Sequence, residues 1–321
     1  MTDAIESKGH RRLVIAMRVL LVMILTLMAL GASVRAMHAG LSCPDWPLCF
    51  GKVIPDFHPG VWFEFVHRAY AGLTGIFFFI LLTAVLLSRR ASKAAKGIMI
   101  AGGFCLLFLI AAGALTVLWQ VRWFAVTAHL VLATLFFSSV FVSLLLIDSR
   151  VQKAQAAAPK WIAYSMVFLS LAVFAQIFLG GVVASTYAGS VCVDWPLCNG
   201  QWVPTWRGAI GHQVIHRFVA YFLTVVILAL AIFFQVKKDA PWMTRQLLSL
   251  SRVALAVVVF QVVLGVANLL LYIPPWITVP HQSVAVILMA TCLRLTHVSF
   301  VLASEKQVVR VPAGSASHAT A

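Results

Sequence analysis

The sequence predicts an all-α integral membrane protein with eight transmembrane helices, arranged as a tandem repeat of two four-helix bundles. The first observation behind this is composition: 62% of the 321 residues are hydrophobic and only 10% are charged, with a mean hydropathy of +0.98. That is far more apolar than a soluble domain. The second is a set of eight apolar runs, each long enough to cross a hydrocarbon core about 30 Å thick. The third is internal repetition. Asp45-Trp46-Pro47-Leu48-Cys49 returns as Asp194-Trp195-Pro196-Leu197-Cys198, and the same offset of 149 carries Cys43 to Cys192, His67 to His216 and Arg68 to Arg217. Each half holds four spans, an even number, so the halves, 1–150 and 151–321, are parallel rather than inverted repeats.

Taken in order, the first span runs from Leu13 to Val34. Its basic start and the small residues Gly31, Ala32 and Ser33 resemble a signal peptide, but its apolar run is too long for a typical h-region. No Arg- and Ser-rich leader of the organelle type precedes it. A long connection then holds Cys43 and Cys49, followed by spans Phe65 to Leu87, Gly97 to Leu118 and Trp123 to Ile147. A polar, Ala-rich linker from Asp148 to Lys160 joins the halves. The second half repeats the plan with Trp161 to Val183, a loop holding Cys192 and Cys198, then Val214 to Phe234, Arg252 to Leu271 and Thr278 to Leu302. The polar tail from Ala303 to Ala321 is expected to be disordered.

The formal net charge of +15 is placed asymmetrically. Basic residues collect before the first span and in alternate connections, among them Arg89, Arg90, Lys93, Arg150, Lys153, Lys237 and Arg245, whereas the other connections hold only Arg35, Lys52, Arg122 and Arg207. This is the positive-inside pattern. It predicts a multi-pass protein of a bacterial inner membrane with both termini in the cytoplasm, and it explains the charge without nucleic acid as a partner.

Four histidines stand at the outer ends of the even-numbered spans: His67, His129, His216 and His281. Imidazoles facing each other in pairs across a helical core can be the axial ligands of a haem, while a zinc site would need three or four clustered ligands. Of the remaining histidines, only His212 lies close enough in sequence to touch a site; His10, His38, His58, His297 and His318 fall in termini, loops or the cytoplasmic end of the last span.

Glu64 alone of the nine acidic residues sits at the head of a span, three residues from His67, and Gln213 takes its place in the second half. A carboxylate beside a cofactor can shuttle protons; alternatively it is an acid favoured by the helix dipole. Arg68 and Arg217 stand at the depth of haem propionates, or anchor at lipid headgroups. Cys43 with Cys49 and Cys192 with Cys198 fall in an oxidising compartment, where each pair is either a structural staple or a redox-active disulfide. Cys105 and Cys292 read as small buried hydrophobes. Gln176-x-x-x-Gly180 and Gln261-x-x-x-Gly265 form a smaller shared signature, either for close helix packing with a glutamine hydrogen bond or for approach of a flat cofactor to the backbone.

Together, Glu64-x-x-His67-Arg68, its counterpart His216-Arg217, His129, His281 and the two Cys-rich loops resemble the bacterial and mitochondrial haem A synthases over essentially the whole chain. The resemblance implies oxidation of a methyl group of haem O to a formyl group by successive hydroxylations, with electrons leaving through a haem b to a membrane acceptor. It implies that His67 and His129, with Arg68, receive the substrate haem O, and that Glu64 and His67 are catalytic. The cofactor, haem b, would be held by His216 and His281 with Arg217. Haem O synthase, oxidase assembly factors and a second copy of the chain are the expected partners. The competing readings are a dihaem electron carrier and a haem transporter or chaperone; a carrier with two equivalent haems would not need Glu64 in only one half.

Overall fold

The computed structural model describes residues 2–148 and 150–304, with side chains described from residue 8 onward. The expected disorder of the tail, together with Glu305, His318 and the side chains of Asp3 and Glu6, lies outside the described residues.

Among the described residues there are eight α-helices: α1 (Thr2–Ala36), α2 (Pro59–Leu87), α3 (Lys93–Leu118), α4 (Trp123–Ile147), α5 (Lys160–Ser185), α6 (Gly208–Val236), α7 (Arg245–Leu270) and α8 (Pro275–Leu302). All eight are long and apolar enough to cross a membrane. The protein is an all-α, multi-pass membrane protein.

Several helices begin earlier than hydrophobicity predicts. α2 starts at Pro59 and not Phe65, α6 at Gly208 and not Val214, and α7 at Arg245 and not Arg252. Hydropathy marks where lipid begins, whereas a helix begins where the backbone is capped. Pro59 occupies the first turn of α2, where its missing N–H costs nothing. Ser92 and Thr244 each cap a helix by accepting an N–H three residues on, at 3.1 Å in both α3 and α7. Glu64 therefore lies in the second turn of α2 and not at its mouth.

The repeat extends to element lengths. α2 and α6 both have 29 residues, and α3 and α7 both have 26. The offset changes from 149 to 152 between Leu87/Val236 and Lys93/Arg245, so the three additional residues lie in the α6–α7 connection. Left-handed backbone recurs in register as well: His38 with Tyr187, Phe50 with Asn199, Gln120 with Tyr272 and Val121 with Ile273.

In packing, α1 meets α2 and α4, and α3 meets the same two helices; α5 and α7 likewise each meet α6 and α8. The pairs α2/α4 and α6/α8 are not packed neighbours. They face each other diagonally across two closed rings of helices. Between the rings, α4 contacts α5, α1 contacts α8, and α4 contacts α8. Thr127 and Ser185 share a buried 2.8 Å hydrogen bond at the α4–α5 seam, and Gln282 of α8 donates to the Met28 carbonyl of α1 at 3.3 Å.

The linker is tied down. Gln152 and Gln246 bond each other's backbone through their side chains at 3.1 and 2.9 Å, the N–H groups of Gln155 and Ala156 donate to Pro241, and that of Ala158 donates to Leu302. Its contacts run to α7, α8 and the α6–α7 connection, and Asp148 at its start pairs with Arg18 of α1 at 2.7 Å.

Candidate haem-binding sites

His67, His129, His216 and His281 are carried by α2, α4, α6 and α8, the diagonal helices of the two rings. In each half the two histidine-bearing helices are separated by helices that contact both of them. Each half thus carries two of the four histidines on non-adjacent helices.

Each imidazole rests on a glycine of the preceding helix. A Cβ added at Gly31 would stand 3.0 Å from Cε1 of His67, at Gly113 3.1 Å from that of His129, at Gly180 3.2 Å from that of His216, and at Gly265 3.0 Å from that of His281. Four residues before these glycines stand Leu27, Leu109, Gln176 and Gln261. Nδ1 of His129 bonds the Leu109 carbonyl at 3.2 Å. Nδ1 of His67 and Nδ1 of His281 are buried without a hydrogen-bond partner among the described residues.

Gln176 and Gln261 do more than pack. Nε2 of Gln176 lies 3.1 Å from Nδ1 of His216 and donates to the His216 carbonyl at 2.9 Å, while Nε2 of Gln261 lies 3.4 Å from Nε2 of His281. The reading of close helix packing with a glutamine hydrogen bond holds, and the neighbour is an imidazole for which the glycine makes room.

Two imidazoles carried on non-adjacent helices of one half suit a metal macrocycle with two open axial positions. Among the described residues, no three His, Cys, Asp or Glu side chains converge as a metal cluster, so a tetrahedral zinc site does not fit. The donor set fits haem.

At the same end of the molecule, disulfides join Cys43 to Cys49 and Cys192 to Cys198. In each loop an aspartate accepts two N–H bonds. Asp45 takes those of Phe50 and Gly51 at 2.6 and 2.8 Å, and Asp194 those of Asn199 and Gly200 at 2.5 and 2.8 Å. Gly51 and Gly200 hold φ of +69° and +77°, a conformation that favours glycine. The glycine N–H is the largest influence holding each aspartate below its ordinary value of 3.8.

Arg68 and Arg217 reach into these loops. Arg68 donates to the carbonyls of Asp45, Leu48 and Cys43 at 2.7, 2.8 and 3.3 Å, and Arg217 donates to those of Asp194, Leu197 and Cys192. Glu64 adds a connection that the second half lacks. It is 4% exposed and is the only carboxylate among the buried side chains described. Its oxygens accept from Arg68 at 2.5 Å and from the Cys43 N–H at 2.9 Å. Gln213 makes a single long contact, donating to the Gly189 carbonyl at 3.5 Å, and its Oε1 is buried without a partner.

The sequence of this chain matches a family described as cytochrome oxidase assembly protein over residues 14–59 and 56–293. It is 34% identical over 275 residues to a protein named "Heme A synthase" from Shouchella clausii, covering 83% of this chain and 88% of that one. Relatives of the same name from Shewanella oneidensis and Brucella anthropi are 26% and 25% identical, with 88% and 89% of this chain covered and 94% and 91% of theirs. The chain belongs to the haem A synthase family.

As a haem A synthase family member it is a membrane-bound oxidoreductase of haem A biosynthesis, with disulfides in both loops. The glycines at 31 and 113 and the leucines at 27 and 109 escape a sequence reading. Carrying Gln176-Gly180 and Gln261-Gly265 back by 149 and 152 lands on them, but leucine in place of glutamine conceals the match. Cys292 is buried as expected, whereas Cys105 is half-buried and donates to the Leu132 carbonyl at 3.3 Å.

Proposed function

We propose that this protein oxidises a methyl group of haem O to the formyl group of haem A by successive hydroxylations. In this reading the two rings are repeated four-helix bundles, 1–150 and 151–321, with divided labour. The first receives haem O between His67 and His129; the second holds haem b between His216 and His281. The observation that carries the division is Glu64, a buried carboxylate beside one histidine pair and replaced by Gln213 beside the other. Glutamine keeps the size and hydrogen-bonding capacity of glutamate but cannot ionise.

The balance sets what the residues must do. Conversion of a methyl group and one water to a formyl group releases four electrons and four protons, through a hydroxymethyl group and a geminal diol that loses water. Haem b, when bound, supplies a one-electron relay toward a membrane acceptor. His67 and His129 fix the position of the substrate. Glu64 accepts and passes on protons, while Arg68 and the Cys43 N–H hold its carboxylate in place. Glu64 is the only carboxylate among the buried side chains described, which makes it the proton carrier of the first ring. The cystine loops face the outer compartment, both termini lie in the cytoplasm, and haem O synthase or oxidase assembly factors are the natural neighbours in the membrane.

Glu64→Gln tests this reading in cells that make haem O. Haem extraction should show haem A formation reduced by about 100-fold, the scale of a lost acid-base group, with the haem b spectrum intact. The loop should survive, because Arg217 holds the same three carbonyls beside a glutamine. Normal haem A output from Glu64→Gln would refute the division of labour, and haem O extracted unchanged from the wild-type protein would favour a carrier or transporter.

A further inference from the structure

The two histidine pairs are not held alike. In the first half Nδ1 of His129 meets only the Leu109 carbonyl, a group that can accept but never donate, and Nδ1 of His67 is buried without a partner among the described residues. His216 is served by a side chain. The Gln176 amide spans two points of one residue, Nδ1 at 3.1 Å and the carbonyl at 2.9 Å, and its Oε1 is buried beside the ring without a partner. Donor and acceptor are thus both present, so the amide can serve Nδ1 with or without a proton. Its counterpart at an offset of 149 is Leu27. Gln261 does not reproduce the clamp, since its amide makes a longer contact, 3.4 Å, on the opposite ring nitrogen of His281.

We propose that Gln176 is a positioning residue that makes His216 the permanently engaged ligand of the second pair, and that Leu27 leaves His67 free to release its haem. The inference rests on the assignment of haem b to His216 and His281. Groups bonded to the far nitrogen of a ligating histidine fix its ring orientation and basicity, and their loss characteristically costs 10- to 100-fold in affinity or activity. A resident cofactor and a product that must leave place opposite demands on that bond. A clamp in one half and a leucine in the other meet them with one substitution. Gly180 completes the arrangement by letting the ring lie within reach of the amide one turn back on α5.

The test uses purified full-length protein carrying haem b, mixed with excess apomyoglobin as haem acceptor. Gln176→Met, which keeps the length of the side chain, should speed transfer of haem b by about 10-fold or more and should shift the electron paramagnetic resonance signature of the bis-imidazole centre. Gln176→Glu, which retains an acceptor, should restore slow transfer. Leu27→Gln should slow release of haem from the first half while leaving the haem b signature unchanged. His216→Ala separates the two layers of the argument. If it keeps its haem b, the assignment of haem b falls and this inference with it. If it loses haem b while Gln176→Met matches wild type in transfer rate and resonance signature, only the clamp is overturned. Should Gln176→Met not accumulate, Gln176→Leu and the Leu27→Gln arm decide by the same readouts.

Discussion

At the scale of single residues, the site is built from close approach. Gly180 and His216 touch so nearly that an alanine methyl at 180 would meet Cε1 at 3.2 Å, tighter than ordinary van der Waals contact. Gly180→Ala should therefore displace the ring and deplete haem b in the purified protein, as read by the ratio of haem to protein absorbance. Gly75→Ala, whose methyl would stand 4.0 Å from Leu106, should leave that ratio unchanged; equal depletion in both would deny the glycine cradle. The histidines were legible in the sequence because ionisable groups at membrane depth are rare and these four recur in register. The contacts of Arg68 and Arg217 were not, because a guanidinium that binds loop carbonyls and one that anchors at the headgroups occupy the same place in the sequence.

At the scale of elements, eight helices were legible from hydropathy, while their starts were set by Pro59, Ser92 and Thr244, which mark caps and carry no apolar signal. The cystine loops add a dependence on pH. Asp45 and Asp194 are held below 3.8 chiefly by the N–H groups of Gly51 and Gly200. A carboxylate whose folded value is depressed contributes fully above its unfolded value and loses that contribution as pH falls through the folded one. Hydrogen-exchange protection at Gly51 and Gly200 should accordingly fall below about pH 4, and Asp45→Asn should remove the pH dependence at Gly51 alone. Protection that stays constant while the carboxylate itself protonates, followed by its carbon-13 shift, would contradict this account.

At the scale of the molecule, sequence repetition gave the parallel order of the halves but not how they meet. The seam depends on which small and polar residues face one another: Thr127 and Ser185 are 58 positions apart, and neither has a polar equivalent at the repeat offset. Thr127→Val should lower stability by about 1 kcal/mol, the scale of one buried hydrogen bond, seen as a lower midpoint of thermal unfolding in detergent. Ser185 keeps a fallback in the Val182 carbonyl at 3.2 Å. An unchanged midpoint would mean that the seam is held by apolar packing alone.

The contacts between the rings have one more property. Exchanging the halves turns α1 against α8 into α5 against α4 and leaves α4 against α8 as it was. A surface that maps onto itself under such an exchange is what a two-fold homodimer presents. The contacts between the halves thus follow the pattern of a two-fold dimer whose copies are covalently joined, and joined copies need not carry the same side chains. Glu64 stands in one half and Gln176 in the other, a difference closed to identical subunits, which carry every side chain in each copy.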